Sequence, residues 1–182
     1  TLDFNARTIS ASKAEVDYFT QVRGYKETEI LEIYEQKPVW GAMAAAGRLK
    51  VTDQVTEYEI RRIHGKKLIR KVCLDLPPQI FETEGLWFKI PQEIVYAAES
   101  EYLDFMGGIH AVEHAAIGIF PLLVMADRND LGGLSTPYHP QLNSAAVFVY
   151  DGIAGGIGLN REAYKHADRL LAHTLNAIQG CS

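Results

Sequence analysis

The sequence predicts an α+β fold: a strand-rich N-terminal half, a meander or small open barrel, followed by a helical half with one or more short strands. Three observations carry this reading. Apolar and polar residues alternate up to about residue 90. After Pro91 breakers become sparse and apolar residues recur at helical spacing, and one short apolar run of strand type, residues 145–150, interrupts the second half. A chain of 182 residues suits one domain, or one domain with a small subdomain, divided as 1–90 and 91–182.

The elements follow in order. Residues 28–36 set Ile30 against Leu31, with Glu29, Glu32 and Glu35 breaking the apolar run. Residues 51–63 form a clearer strand, in which Val51, Val55, Tyr58 and Ile60 are spread among polar neighbours, with an irregularity near Asp53. His64-Gly65-Lys66 reads as a hairpin turn, and residues 68–76 as the returning strand ended by Pro77-Pro78. A short aromatic strand, 85–90, precedes Pro91, which suits a first helical turn. A helix over 93–105 is punctuated by Gly107-Gly108, and a second from Ile109 is ended or kinked by Pro121. Residues 127–140, rich in Asp, Gly, Ser and Pro, read as a loop, and 151–158 as a glycine-rich turn. One final helix over 160–179 carries a broad apolar face and ends at Gly180.

Composition narrows the function classes. An apolar fraction of 47% and a charged fraction of 23% are those of an ordinary globular protein. The N-terminus lacks a signal-peptide core, and a membrane-spanning helix is not expected, because His110, Glu113 and His114 interrupt the most apolar stretch. A net charge of −5 argues against nucleic-acid binding over the whole surface, but not against a local patch. Two scattered cysteines, Cys73 and Cys181, build no disulfide framework and point to a reducing, cytoplasmic setting. Cys73 reads as a small core residue of an apolar strand, and the missing leading methionine as a sign that Thr1 begins a fragment of a longer protein.

Several patterns could carry chemistry. His110-Ala-Val-Glu113-His114 places two imidazoles and a carboxylate at i, i+3 and i+4, on one helix face. This is the H-x-x-E-H string of zinc peptidases, in which the histidines bind metal and the glutamate handles the proton. A zinc-dependent hydrolase is therefore one reading, with Glu162 as the acidic candidate for a third ligand. The other is a polar seam in which His110, Glu113 and His114 bond to the segment carrying Asp127 and Asp130, with His139 a further imidazole that could approach. The 127–136 segment lacks the spacing of a calcium loop. The 151–158 turn lacks the lysine of a phosphate-binding loop, so no motor is encoded here. Arg61, Arg62, Lys66, Lys67, Arg70 and Lys71 gather six of the eighteen basic residues around one hairpin, either as a solvated tip or as a contact to nucleic-acid phosphates.

Three of these strings occur together in order: His-Ala-Val-Glu-His-Ala (110–115), Asp-Arg-Asn-Asp-Leu-Gly-Gly-Leu-Ser-Thr (127–136) and Tyr-Asp-Gly-Ile-Ala-Gly-Gly-Ile-Gly-Leu (150–159). With the final helix leading into Cys181, residues 107–182 resemble the zinc-binding C-terminal (MZB) domain of MrfA/YprA-type DEAD/H-box DNA helicases. The resemblance implies an ATP-dependent 3′-to-5′ DNA helicase of DNA repair, whose RecA-like and winged-helix domains bind ATP and DNA and lie before Thr1. It implies that this part is a non-catalytic accessory domain. It also implies a zinc held by four cysteines, of which Cys181 matches the first and the others follow Ser182, so that zinc belongs to the complete domain rather than to this fragment. Met125 stands where relatives are expected to carry a cysteine.

Overall fold

A computed structural model describes residues 2, 3 and 6–181; Thr1, Phe4, Asn5 and Ser182 lie outside the described residues, and with them most of the chain start discussed above. Strands β1 (Leu2–Asp3) and β2 (Thr8–Ile9) form a two-stranded antiparallel ladder. Two long strands follow, β3 (Tyr18–Val39) and β4 (Ala42–Arg62), then β5 (Leu68–Cys73) and β6 (Gln79–Lys89). Helices α1 (Gln92–Ser100) and α2 (Phe105–Ile119) come next, then β7 (Leu131–His139), β8 (Ser144–Asp151), α3 (Leu159–Lys165) and α4 (Ala167–Gln179). The α+β order, strands first, is as expected from the sequence.

Two compact units divide the chain. One holds Thr1–Tyr25 and Gln54–Pro77; the other holds Lys26–Asp53 and Pro78–Ser182. The change of grammar near residue 90 is thus a change of element type, and strands contribute to both units. The irregularity expected near Asp53 is where β4 changes partner, from β6 (through Asp53↔Gln79) to β5 (from Glu57↔Cys73). In the smaller unit, the β4–β5 hairpin turns at Gly65 and Lys66, with φ of 75° and 50°, closed by Arg62 N–H donating to the Lys67 carbonyl at 2.9 Å. Cys73 is exposed at the end of β5 rather than buried in a core, which corrects the expectation above.

In the larger unit the sheet order is β3-β4-β6-β8-β7, a barrel-like arrangement that nearly closes. Side chains supply the closing contacts. The Gln141 amide pairs with both backbone groups of Ile30, at 2.7 and 2.9 Å, as a strand neighbour would, and His139 Nε2 lies 3.0 Å from the Thr28 carbonyl. Strands covered on both faces read as nearly continuous apolar runs, and β8, buried throughout, is of this kind. Its Ala146, Phe148 and Tyr150 join Ala45, Leu49, Val51 and Trp87 inside the barrel. The opposite face, including Val149, Leu86, Phe88, Ala44 and Ala46, packs on Ala116, Phe120, Ala163, Ala167 and Leu170 of the helical layer. Residues Phe105–Leu122 are long and apolar enough to cross a membrane, at mean hydropathy 1.2, yet Ile109, Ala116, Ile117 and Phe120 are buried in this core.

Several boundaries differ from those read in the sequence: β3 and β4 begin at Tyr18 and Ala42, well before 28 and 51, β6 begins at Gln79 rather than 85, and the helix read over 93–105 ends at Ser100, with Phe105 already in α2. Gly107 and Gly108 lie inside α2 instead of before it. The Asp104 carboxylate caps α2 by accepting from Gly107 N–H at 3.0 Å, and a Cβ on Gly107 would stand 2.6 Å from that carboxylate. Most of residues 127–140 is the edge strand β7, preceded by a short 3-10 turn at Arg128–Asp130. An edge position tolerates Pro137, which has no N–H to give. The final helix is broken at His166 (φ −111°, ψ 24°) into α3 and α4, although its apolar face continues across the break. Gly180 does cap α4, in an ordinary right-handed conformation (φ −80°).

Candidate functional site

On α2 the i, i+3, i+4 spacing brings His110, Glu113 and His114 together, as the sequence requires of a helix. One ligand atom from each lies within 4.8 Å of the others. His110 Nε2 and His114 Nε2 are 3.2 Å apart, with the rings near perpendicular. Nδ1 of His110 faces Glu113 Oε2 at 3.2 Å and Ser135 Oγ at 3.1 Å. Ser135 Oγ–H donates to the same Glu113 oxygen at 2.6 Å. The Glu113 residue is only 6% exposed, while the His110 side chain is 58% exposed. A buried carboxylate thus anchors a pair of solvent-facing imidazoles.

Strand β7 completes the cluster. Gly133 and Ser135 share one face of it, and a Cβ on Gly133 would stand 2.7 Å from Glu113 Oε1. Glycine is needed there for close approach, not for an unusual backbone angle. Ser135, which the sequence did not single out, is the group from this segment that bonds to the cluster. Reading 127–140 as a strand would have exposed the i, i+2 relation. Asp127 instead caps its 3-10 turn, accepting from Asn129 N–H at 2.8 Å, and the Asp130 carbonyl accepts from Gly152 N–H. His139 is 3% exposed, lies against Phe148 with ring centroids 5.0 Å apart, and faces Thr28 on β3. Glu162 pairs with Lys165 at 2.6 Å, and this bond holds its carboxyl below the ordinary range. Neither His139 nor Glu162 is among the donors grouped with the α2 cluster.

These contacts decide what the cluster can do. A hydrolytic base must be free to take a proton from a metal-bound water. Here Glu113 Oε2 already faces Ser135 and His110, and Oε1 abuts Gly133. The geometry therefore suits metal holding better than proton transfer.

The basic hairpin divides into two sets. Glu59, 3% exposed, receives Arg61 at 2.7 Å, Lys71 at 3.1 Å and Arg23 at 3.3 Å. The Arg61 and then the Lys71 hydrogen bonds lower its carboxyl to about 2. Arg62 pairs with Asp17. Lys66, Lys67 and Arg70 are exposed, and no side-chain partner holds them among the described residues. Of the hairpin's six cations, these three are the uncommitted ones among the described residues.

The glycine-rich turn after β8 is organised by Asp151, which is fully buried and accepts from Ile157 N–H (2.6 Å), Gly158 N–H (3.0 Å) and the Asn160 amide (2.5 Å). It is a tight strand-to-helix crossing, and its donors point at this chain's own carboxylate.

Comparison with known proteins identifies the family. The MrfA Zn-binding domain (MZB) family matches residues 112–182. An uncharacterised protein of Methanocaldococcus jannaschii is 35% identical over 77 residues, which are 41% of this chain and 69% of that protein. The chain belongs to the MrfA Zn-binding domain family. It is also 23% identical over 191 residues to the ATP-dependent helicase hrq1 of Schizosaccharomyces pombe, covering 99% of the chain and 18% of that helicase. It is 25% identical to the uncharacterised ATP-dependent helicase YprA of Bacillus subtilis, covering 90% of the chain and 22% of YprA. The fold is that of the DUF1998 helicase MrfA in its crystal structure bound to DNA, with a TM-score of 0.62, 21% identity, and 93% of this chain and 22% of that chain covered. The chain thus spans about a fifth of the length of the helicases it matches.

The family's zinc was tested against the donors present. A four-thiolate site needs four cysteines, and the given sequence holds two, Cys73 and Cys181, both exposed. Among the described residues, His110, Glu113 and His114 form the group of donors that the fold brings together.

Proposed function

We propose that this chain serves as a non-catalytic accessory domain of an ATP-dependent 3′-to-5′ DNA helicase of DNA repair, cytoplasmic, bracing the motor and touching DNA. The observation that carries this reading is coverage: 99% of the chain aligns within hrq1, a helicase more than five times its length. An element matched end to end inside larger ATP-dependent helicases is expected to work beside their RecA-like and winged-helix domains, which would hold the ATP. Relatedness to MrfA, solved bound to DNA, supports DNA as the partner.

The DNA contact is assigned to the tip of the β4–β5 hairpin, at Lys66, Lys67 and Arg70. Arg61, Arg62 and Lys71 keep supporting roles, because each is neutralised by Glu59, Glu57 or Asp17. Fluorescence anisotropy with a labelled single-stranded oligonucleotide tests this across a salt series. Replacing Lys66, Lys67 and Arg70 with Ala removes three phosphate contacts, so the slope of log K against log salt falls by about 2. An unchanged slope and affinity refute the contact.

A further inference from the structure

We infer that His110 and His114 hold one divalent transition-metal ion through their Nε2 atoms, with Glu113 and Ser135 acting as its outer support rather than as ligands. This site is independent of any thiolate cluster.

An ionised carboxylate only accepts, and the Ser135 hydroxyl hydrogen is already directed to Glu113 at 2.6 Å. His110 Nδ1, 3.2 Å from the same carboxylate and 3.1 Å from Ser135 Oγ, must therefore carry the hydrogen. That leaves His110 Nε2 without a hydrogen, able to accept from His114 Nε2–H 3.2 Å away or, once that hydrogen sits on His114 Nδ1, to share a metal ion with His114 Nε2. A histidine whose Nδ1–H is fixed by a carboxylate is the arrangement that orients imidazoles onto metals and raises their basicity.

With the two Nε2 atoms 3.2 Å apart, metal–nitrogen bonds of about 2.1 Å meet at an angle of about 100°. That lies between the tetrahedral and octahedral ideals. Side-chain motion needed to aim both lone pairs at one point falls on His114, which is exposed and, among the described residues, hydrogen-bonded to His110 alone. His110, by contrast, is held by the buried Glu113. Two imidazoles on an open surface leave the other coordination positions to water or a partner's donor. Such nitrogen donors suit zinc, nickel, cobalt and copper rather than magnesium or calcium.

The test uses the whole chain, stripped with chelator and titrated with Zn²⁺ by calorimetry and with Co²⁺ by visible absorption. The expected result is a single equivalent bound, and a cobalt spectrum without the intense sulfur-to-metal charge-transfer band. His110→Ala and His114→Ala, both at exposed positions, each abolish binding while leaving the melting temperature within a degree or so. Glu113→Gln, and more mildly Ser135→Ala, weaken it by about 10–100-fold without changing the stoichiometry. A Cys73→Ser/Cys181→Ser double variant binds as the wild type does. The inference is overturned if the chain binds no ion, if binding survives in His114→Ala, or if the cysteine variant loses it. Because no DNA enters the measurement, its outcome stands apart from that of the helicase reading.

Discussion

Removal of the Asp151 carboxylate provides a direct test of how the crossing from β8 to α3 is held. The residue is wholly buried and three donors converge on it, two backbone N–H groups and the Asn160 amide. Hydrogen bonds to a charged group are each worth about 1.5–3 kcal/mol, but only donors that stay buried keep the full penalty once the acceptor is gone. Ile157 and Gly158 lie on the accessible side of the turn, so their N–H groups recover water; Asn160 is fully buried and cannot. Asp151→Ala is therefore expected to cost about 3–4 kcal/mol, a fall in melting temperature of about 10 °C for a chain of this size. Asp151→Asn is milder, at about 1 kcal/mol. The Asn160 carbonyl oxygen has no partner, so after a flip of both amides it can accept from the new NH₂, while the new carbonyl still faces the two backbone donors. Urea unfolding followed by tryptophan fluorescence suits the measurement, since Trp87 is buried in the same unit. A cost below about 1 kcal/mol for the alanine variant, or equal damage from both variants, would refute the reasoning.

Two further perturbations follow from the same contacts. Glu59 has its carboxyl lowered from 4.5 to about 2 by Arg61 and Lys71, so its contribution is complete above about pH 4.5 and is lost as pH falls through that window. The stability gap between wild type and Glu59→Gln, followed by circular dichroism in urea, should close between about pH 4.5 and 2; a gap independent of pH would disprove the pairing. Gly133→Ala puts a Cβ 2.7 Å from both Glu113 Oε1 and Ile117 Cδ1. It should destabilise by about 1–3 kcal/mol in thermal melts and weaken metal binding in the same protein, and wild-type values for both would mean that β7 can shift freely.

The two halves of the sequence were legible to different depths. Where the local pattern carries the signal it was enough: the part of β4 from residue 51, the short apolar run of β8, and the face shared by His110, Glu113 and His114 were readable, the last because spacing alone sets which side chains converge on a helix. The hairpin at Gly65 was readable too, from its turn chemistry. Residues 127–140 were not, because glycine, proline and serine signal a loop unless a neighbour needs them. Here Gly132 admits the Tyr150 ring, Gly133 admits Glu113, and Pro137 sits where an edge strand has no partner to satisfy.

Tertiary structure alone sorted equivalent-looking residues into different roles. Six clustered cations became three held by acids and three uncommitted, a distinction set by Glu57 and Glu59 on the same hairpin and by Asp17 from an earlier part of the chain. Three histidines of the second half separated likewise: His139 turned to Thr28 and the barrel, whereas His110 and His114 stayed together over a buried glutamate. The sequence by itself determined which donors lie on one helix face, since helical geometry is local. Which of them is a ligand, which a support and which a bystander depended on what β7 brought against that face, and such contacts are set only when the sheet and helices pack.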